Sequence, residues 1–238
     1  MSALSRRTFP RLLVAALILL LLSGCGPFLP TLGDEERPLT RADSPDDRLA
    51  LTFDATWGRD ELSKILTTLD GNGVKATFFV GGTFLNLDGE AVRHIAARGH
   101  EVGTLGQLTL NLATLPENEI TSNLLASQSL LAKILGGPVR YFRPPLGEAT
   151  PDVVRGASKA GLATVTHSLD SEDHLGLRAP AIAARVVKGA RRGDIIRLSA
   201  SDWSRETNKA LPQIVKGLKG RGFKLVLVSE LVPTQVQP

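Results

Sequence analysis

The sequence predicts an α/β fold in which a parallel sheet is covered by helices, either as a barrel or as a doubly wound sheet. From Arg48 onward, short β-rich runs alternate with amphipathic helical patterns. The helical stretches are of crossover length, which is what parallel strands require of their connections. Runs such as Leu49–Phe53 and Ala76–Val80 are largely apolar, as strands buried on both faces are. No internal repeat is visible.

Leu49–Phe53 reads as the first strand, and Arg59–Asp70 as a helix closed by Gly71-Asn72-Gly73, where glycine accepts the left-handed cap. Ala76–Val80 is the second strand, followed by a helix over Glu90–Arg98 and a short strand at Glu101–Gly103. The longest helix, Pro116–Leu135, stops at Gly136-Gly137. Tyr141–Arg143 is briefly extended, Pro151–Ala160 is a helix with Gly161 behind it, and Leu162–Ser168 is a strand. Ile182–Ala190 is helical, Asp194–Leu198 a strand, Thr207–Lys219 a helix and Phe223–Val228 the last strand.

Ahead of this domain lies an addressing signal. Arg6, Arg7 and Arg11 form a positive n-region, and Leu12–Leu22 forms an apolar run too short for an ordinary spanning helix. It ends in Leu22-Ser23-Gly24-Cys25, which resembles the lipobox of bacterial lipoproteins. That resemblance implies a signal peptide over residues 1–24 and a lipid on Cys25, the only cysteine, hence an exported chain anchored on the extracytoplasmic side of a membrane. Ser5-Arg6-Arg7-Thr8-Phe9 also resembles a twin-arginine export signal, so either that route or the general secretory route fits. From Gly26 to Asp47, Pro27, Pro30, Pro38 and Pro45 alternate with acidic residues, a composition that favours an extended, solvated tether. The domain is then expected over residues 48–233, with a tail at 234–238.

Charge points away from nucleic acid. The whole chain has 28 basic and 24 acidic residues, but three of the basic ones lie in the leader, which leaves 25 against 24. A mature domain that balanced has no basic footprint for a nucleic-acid partner.

In parallel α/β folds the chemistry gathers where strands end, at the carboxyl rim. The segments there are Phe53-Asp54-Ala55-Thr56-Trp57-Gly58, then Gly99-His100-Glu101-Val102-Gly103-Thr104-Leu105 running on to Thr109, Phe142-Arg143-Pro144-Pro145-Leu146-Gly147, Ser168–His174 and Gly193–Ser199. A carboxylate and a guanidinium delivered to one rim by different strands make a candidate ion pair that is either catalytic or structural.

These blocks resemble, in order and over about Leu49–Leu231, the polysaccharide deacetylases with a NodB-homology domain, carbohydrate esterase family 4. Thr52-Phe53-Asp54-Ala55-Thr56-Trp57-Gly58 is most similar to the sporulation-type branch. The resemblance implies an irregular (β/α)7-type barrel. It also implies metal-dependent hydrolysis of N-acetyl groups on amino-sugar polymers, with a divalent ion, usually zinc, held by one aspartate and two histidines. Asp54 matches the catalytic base, Arg143 the arginine that braces it, and Asp173 an aspartate that helps position the site. Ala55, Leu105 and Thr109 stand at the three metal-ligand positions, Ser199 stands at the general-acid position, and His174 replaces a groove tryptophan.

Leucine has no lone pair to donate, and a threonine hydroxyl is a poor zinc ligand. Without a metal, water keeps its high bulk pKa instead of one lowered to about 7, and serine cannot protonate a leaving amine near neutral pH. No metal or other cofactor is therefore expected. A rebuilt site would draw on the loop Asp170, Glu172, Asp173 and His174. Of the other histidines, His94 is read as solvated, His100 as bonded to backbone, and His167 as lying within the fifth strand. No Gly-x-Ser-x-Gly elbow frames Ser199 or Ser201, and neither Gly81-Gly82 nor Gly136-Gly137 opens a phosphate loop. Trp57, Pro144, His174 and Trp203 are candidates for a sugar groove, with Phe142 assigned to the core.

Three functions stay open on these residues. One is a glycan-binding lipoprotein that has lost the family's chemistry. Another is a working deacetylase that uses Asp54 with substitute ligands or none, and the third is a purely protein-binding envelope lipoprotein.

Overall fold

A computed structural model describes residues 37–108 and 111–232 of the chain. The leader, Cys25, the start of the tether, Thr109 and the tail lie outside the described residues.

The described chain forms eight strands in one sheet, with every strand pair parallel. Strands β1 (Arg48–Ala55), β2 (Thr77–Val80), β3 (Glu101–Thr104), β4 (Tyr141–Phe142), β5 (Ala163–Thr164), β6 (Leu169–Asp170), β7 (Ile195–Ser199) and β8 (Lys224–Val226) alternate with helices. The helices are α1 (Asp60–Gly71), α2 (Gly82–Leu87), α3 (Gly89–Ala97), α4 (Glu117–Leu135), α5 (Pro151–Lys159), α6 (Ala179–Gly189), α7 (Arg205–Gly220) and α8 (Val228–Leu231). Sheet order is β5-β4-β3-β2-β1-β7-β6, with β8 paired to the start of β1. The sheet curls into the irregular barrel that the family resemblance implies, which settles the choice the residue pattern left between a barrel and a doubly wound sheet.

Period-two alternation divides β1 between two cores. Leu49, Leu51 and Phe53 pack outward beneath the helices with Phe78, Phe142, Ile196 and Leu198. Phe53 and Phe78 stack with centroids 5.1 Å apart. Ala50 joins Phe79, Leu105, Tyr141, Val165 and Ile195 in a second cluster. Each fully buried side chain of this size contributes roughly 1.5–3 kcal/mol relative to exposure. Register sets Thr52 against Arg197 and Asp54 against Ser199, so the polar residues of β1 and β7 share the inner face.

Four features differ from the sequence reading. The segment expected to be a solvated tether joins the fold from Leu39. Its amide donates to Thr164, its carbonyl accepts from Thr166, and it forms a bridge with Val165. Arg41 bridges to Asp194 with its side chain on the same carboxylate, and Ala42 and Ser44 are buried. Gly193 faces this segment at φ +78°, where a Cβ would sit 2.0 Å from the Ala42 carbonyl oxygen, so only glycine fits. The expected strand Leu162–Ser168 is cut to β5; Val165 still donates to the Phe142 carbonyl, Thr166 donates to the Leu39 carbonyl, and a separate strand, β6, follows. Helix α2 was not read from the sequence; it opens at Gly82, where a Cβ would meet the Gln107 carbonyl oxygen at 1.8 Å. The last expected strand, Phe223–Val228, is shortened to β8, and α8 begins at Val228.

Candidate functional site

The carboxyl rim holds a cleft of about 390 Å³ lined by Asp54, Thr56, Trp57, Thr83, Leu105, Pro145, His174, Arg197, Ser199 and Trp203. Asp54 lies at its base, almost buried at the end of β1. Arg143 Nη1 donates to Asp54 Oδ1 at 2.8 Å. The expected pair is therefore made, and Arg143 is 1% exposed. Its Nη2 donates to Thr52 Oγ1 at 2.8 Å and to the Thr166 carbonyl at 3.1 Å. Its guanidinium carbon lies 4.1 Å from the Phe79 ring centroid, a cation–π contact. Burial pulls the Arg143 pKa below its ordinary value, and Asp54 opposes that pull.

The second oxygen of Asp54 is also taken. Arg197 Nε donates to Asp54 Oδ2 at 2.8 Å, and its Nη1 donates to Asp170 Oδ2 at 3.0 Å. Burial disfavours the Arg197 cation, but Asp54 and Asp170 outweigh it and raise its pKa. Burial also works against ionised Asp170; the Glu172 amide and Arg197 prevail and hold its pKa below the ordinary carboxylate value. His167 Nε2 lies 3.5 Å from Asp170 Oδ2, and burial lowers its pKa. His167 is thus half-buried in the link between β5 and β6 rather than inside a strand.

Sequence reasoning missed Arg197 and Asp170 as partners of this site. A charged residue between Ile196 and Leu198 in an apolar strand was the available signal, since it must turn inward and find a counter-charge. Asp173, expected to help position the site, is buried behind the Ser199 end of the cleft. Its Oδ2 accepts from the Ser199 amide at 2.8 Å and the Thr207 hydroxyl at 2.6 Å. It therefore ties the end of β7 to α7.

The other family positions split. Leu105 is 1% exposed and walls the cleft with methyl groups. Ala55 packs with the core cluster that includes the helices and is not among the residues lining the cleft. Ser199 lines the cleft, with its Oγ accepting from the Ser201 amide at 3.3 Å. Trp57 and Trp203 are 50% and 63% exposed, so both flank the cleft rather than fill the core, and Phe142 is fully buried as expected. Pro144 is buried, and Pro145 takes the groove position assigned to it. His174 lines the cleft, half-exposed. His94 is exposed, and His100 Nδ1 accepts from the Ala76 amide at 3.2 Å.

The donors present do not fit the family's cation. Among the described residues no three His, Cys, Asp or Glu side chains gather as a metal-holding group. The acidic loop does not supply one: Asp170 faces Arg197, Glu172 pairs with Arg185, and Asp173 serves Ser199 and Thr207. Two like unit charges about 4 Å apart repel by about 4 kcal/mol at an effective dielectric near 20, and a divalent ion doubles that against each guanidinium.

Residues 41–165 match the polysaccharide deacetylase family. The chain belongs to that family. It is 30% identical over 187 residues to a peptidoglycan-N-acetylglucosamine deacetylase of Bacillus cereus, an overlap of 77% of this chain and 87% of that protein. It is 25% identical over 198 residues to the Bacillus subtilis protein YlxY, where the overlap takes in 83% of this chain and 61% of the relative's length. Among solved structures, a carbohydrate esterase family 4 pseudoenzyme from Bacillus anthracis superposes with a TM-score of 0.78 at 26% identity, covering 83% of this chain and 69% of that chain. A mutant of that pseudoenzyme with restored enzymatic activity superposes equally well, at 27% identity.

Proposed function

We propose that this deacetylase-family domain binds N-acetylated cell-wall polysaccharide without hydrolysing it, held on the extracytoplasmic side of a membrane by a lipid on Cys25. The observation that carries the reading is Asp54 clamped by two guanidiniums opposite a wall made by Leu105. A base so engaged, with no ligand to activate water and Ser199 at the acid position, lacks the parts of amide hydrolysis. The exposed Trp57 and Trp203 beside the cleft offer faces on which sugar rings stack. The likeness to the Bacillus anthracis pseudoenzyme supports the same reading.

The test is titration of the full chain, in detergent, with chitooligosaccharides and peptidoglycan fragments, in zinc or in EDTA, with acetate followed in the same samples. Binding should be equal in both buffers, without acetate release. Trp57→Ala and Trp203→Ala should each weaken it by up to about tenfold, since an aromatic stacking contact is worth roughly 0.5–1.5 kcal/mol. Acetate release abolished by Asp54→Ala would establish a working deacetylase instead. No glycan affinity at all would leave a protein-binding lipoprotein. Membrane partition lost on Cys25→Ser checks the anchor.

A further inference from the structure

We infer that Arg197 is the resident cation of the cleft, occupying the charge-neutralising place beside Asp54 and thereby keeping divalent ions out. The loss of ligands at positions such as Leu105 explains why an ion would be poorly held; it does not explain why an arginine stands there. Arg197 comes from the strand paired with β1, two residues before Ser199, and its Nε lies 2.8 Å from the oxygen of Asp54 that Arg143 leaves open. Its other end is fixed 3.0 Å from Asp170. Asp54, Arg143, Arg197 and Asp170 thus form a chain of two anions and two cations that is neutral without any added ion.

The geometry separates Arg197 from Arg143. Arg143 is fully enclosed and also bonds Thr52 and the Thr166 carbonyl, so it belongs to the interior of the barrel. The Arg197 side chain is about a quarter exposed and lines the cleft itself. An ion approaching Asp54 from the cleft meets Arg197 and would have to displace it. Arg197 therefore decides the cleft's selectivity against cations, and it does so whether or not a glycan binds there.

The test restores donors in the cleft and asks whether Arg197 still blocks them. Leu105→His and Ser199→His both place imidazoles on the lining of the cleft that holds Asp54. Zinc affinity of the full chain is read by competition with a chromophoric chelator, independently of activity. The double variant should take up zinc weakly, and adding Arg197→Met should tighten zinc at least tenfold. Arg197→Gln, which keeps an N–H donor toward Asp54 but not the charge, should do the same. Arg197→Lys should leave affinity at the level of the double variant. Far-ultraviolet circular dichroism checks that each variant is folded, and the glutamine variant carries the test should the methionine variant unfold. Equal zinc affinity with and without Arg197, or a lysine variant as tight as the methionine one, would overturn the inference. So would failure of both neutral variants to bind zinc while folded.

Discussion

Replacing Asp54 with alanine strands a buried cation, and the structure sets the size of the penalty. Arg143 is 1% exposed, and Asp54 is the only carboxylate among its hydrogen-bond acceptors. Removing one partner of a buried pair costs about 3–5 kcal/mol, because the other charge stays desolvated. The Arg197 contact adds at most about 1 kcal/mol, since that side chain reaches solvent and keeps Asp170. At about 2–4 °C per kcal/mol for a domain of this size, melting should fall by roughly 6–24 °C. The assay is urea unfolding followed by circular dichroism, with an unchanged slope showing that the native state is intact. Adding Arg143→Met to Asp54→Ala removes the stranded charge and should recover most of the loss, because apolar replacement of a buried pair is often neutral or better. An Asp54→Ala chain within about 1 kcal/mol of the wild type, or a double variant no more stable than the single, would refute the argument that the pair is kept for structure.

Two further outcomes follow from the buried polar groups and the N-terminal segment. The His100 side chain is fully buried, and burial lowers its pKa to about 4. The unfolded chain therefore takes up a proton near pH 6.5 that the folded chain refuses until about pH 4; this stability is complete above pH 6.5 and lost as pH falls through that window. The loss should approach about 3 kcal/mol. His100→Asn, which keeps an acceptor for the Ala76 amide, should flatten that part of the pH profile of urea midpoints; an unchanged profile would remove His100 as its source. A chain begun at Arg48 should melt below one begun at Arg37. It forfeits the backbone hydrogen bonds of Leu39 and Ala42, each worth about 1 kcal/mol, together with the Arg41–Asp194 pair. Equal stability of the two chains would return the segment to the status of a tether.

Much of the fold was legible because its signals are local. The apolar strands, the glycines at helix ends and the crossover lengths each depend on a few neighbouring residues, and together they specify parallel β/α units. Errors arose where a distant segment intervened. Thr164 and Thr166 bond to Leu39, more than a hundred residues earlier, and the expected fifth strand stops short of Ser168. Only glycine fits at the start of α2, because the Gln107 carbonyl lies against Gly82. Of the site, Asp54, Arg143 and the flanking tryptophans were legible from their place after strand ends. The bonds of Asp173 to the Ser199 amide and the Thr207 hydroxyl were not legible, because chain position fixes which rim a residue reaches and not which way its carboxylate turns.

The sequence by itself determined most of the elements, their parallel β/α arrangement and the set of residues delivered to the carboxyl rim. Side-chain period and strand ends are properties of short stretches, and they act before any tertiary contact forms. Only the tertiary structure decided that Asp54 is held from both sides. Its two guanidiniums lie 89 and 143 positions along the chain, and a carboxylate takes whichever donors the curled sheet brings within hydrogen-bond reach. The register that sets Thr52 beside Arg197 made that choice, and with it the chemistry of the cleft.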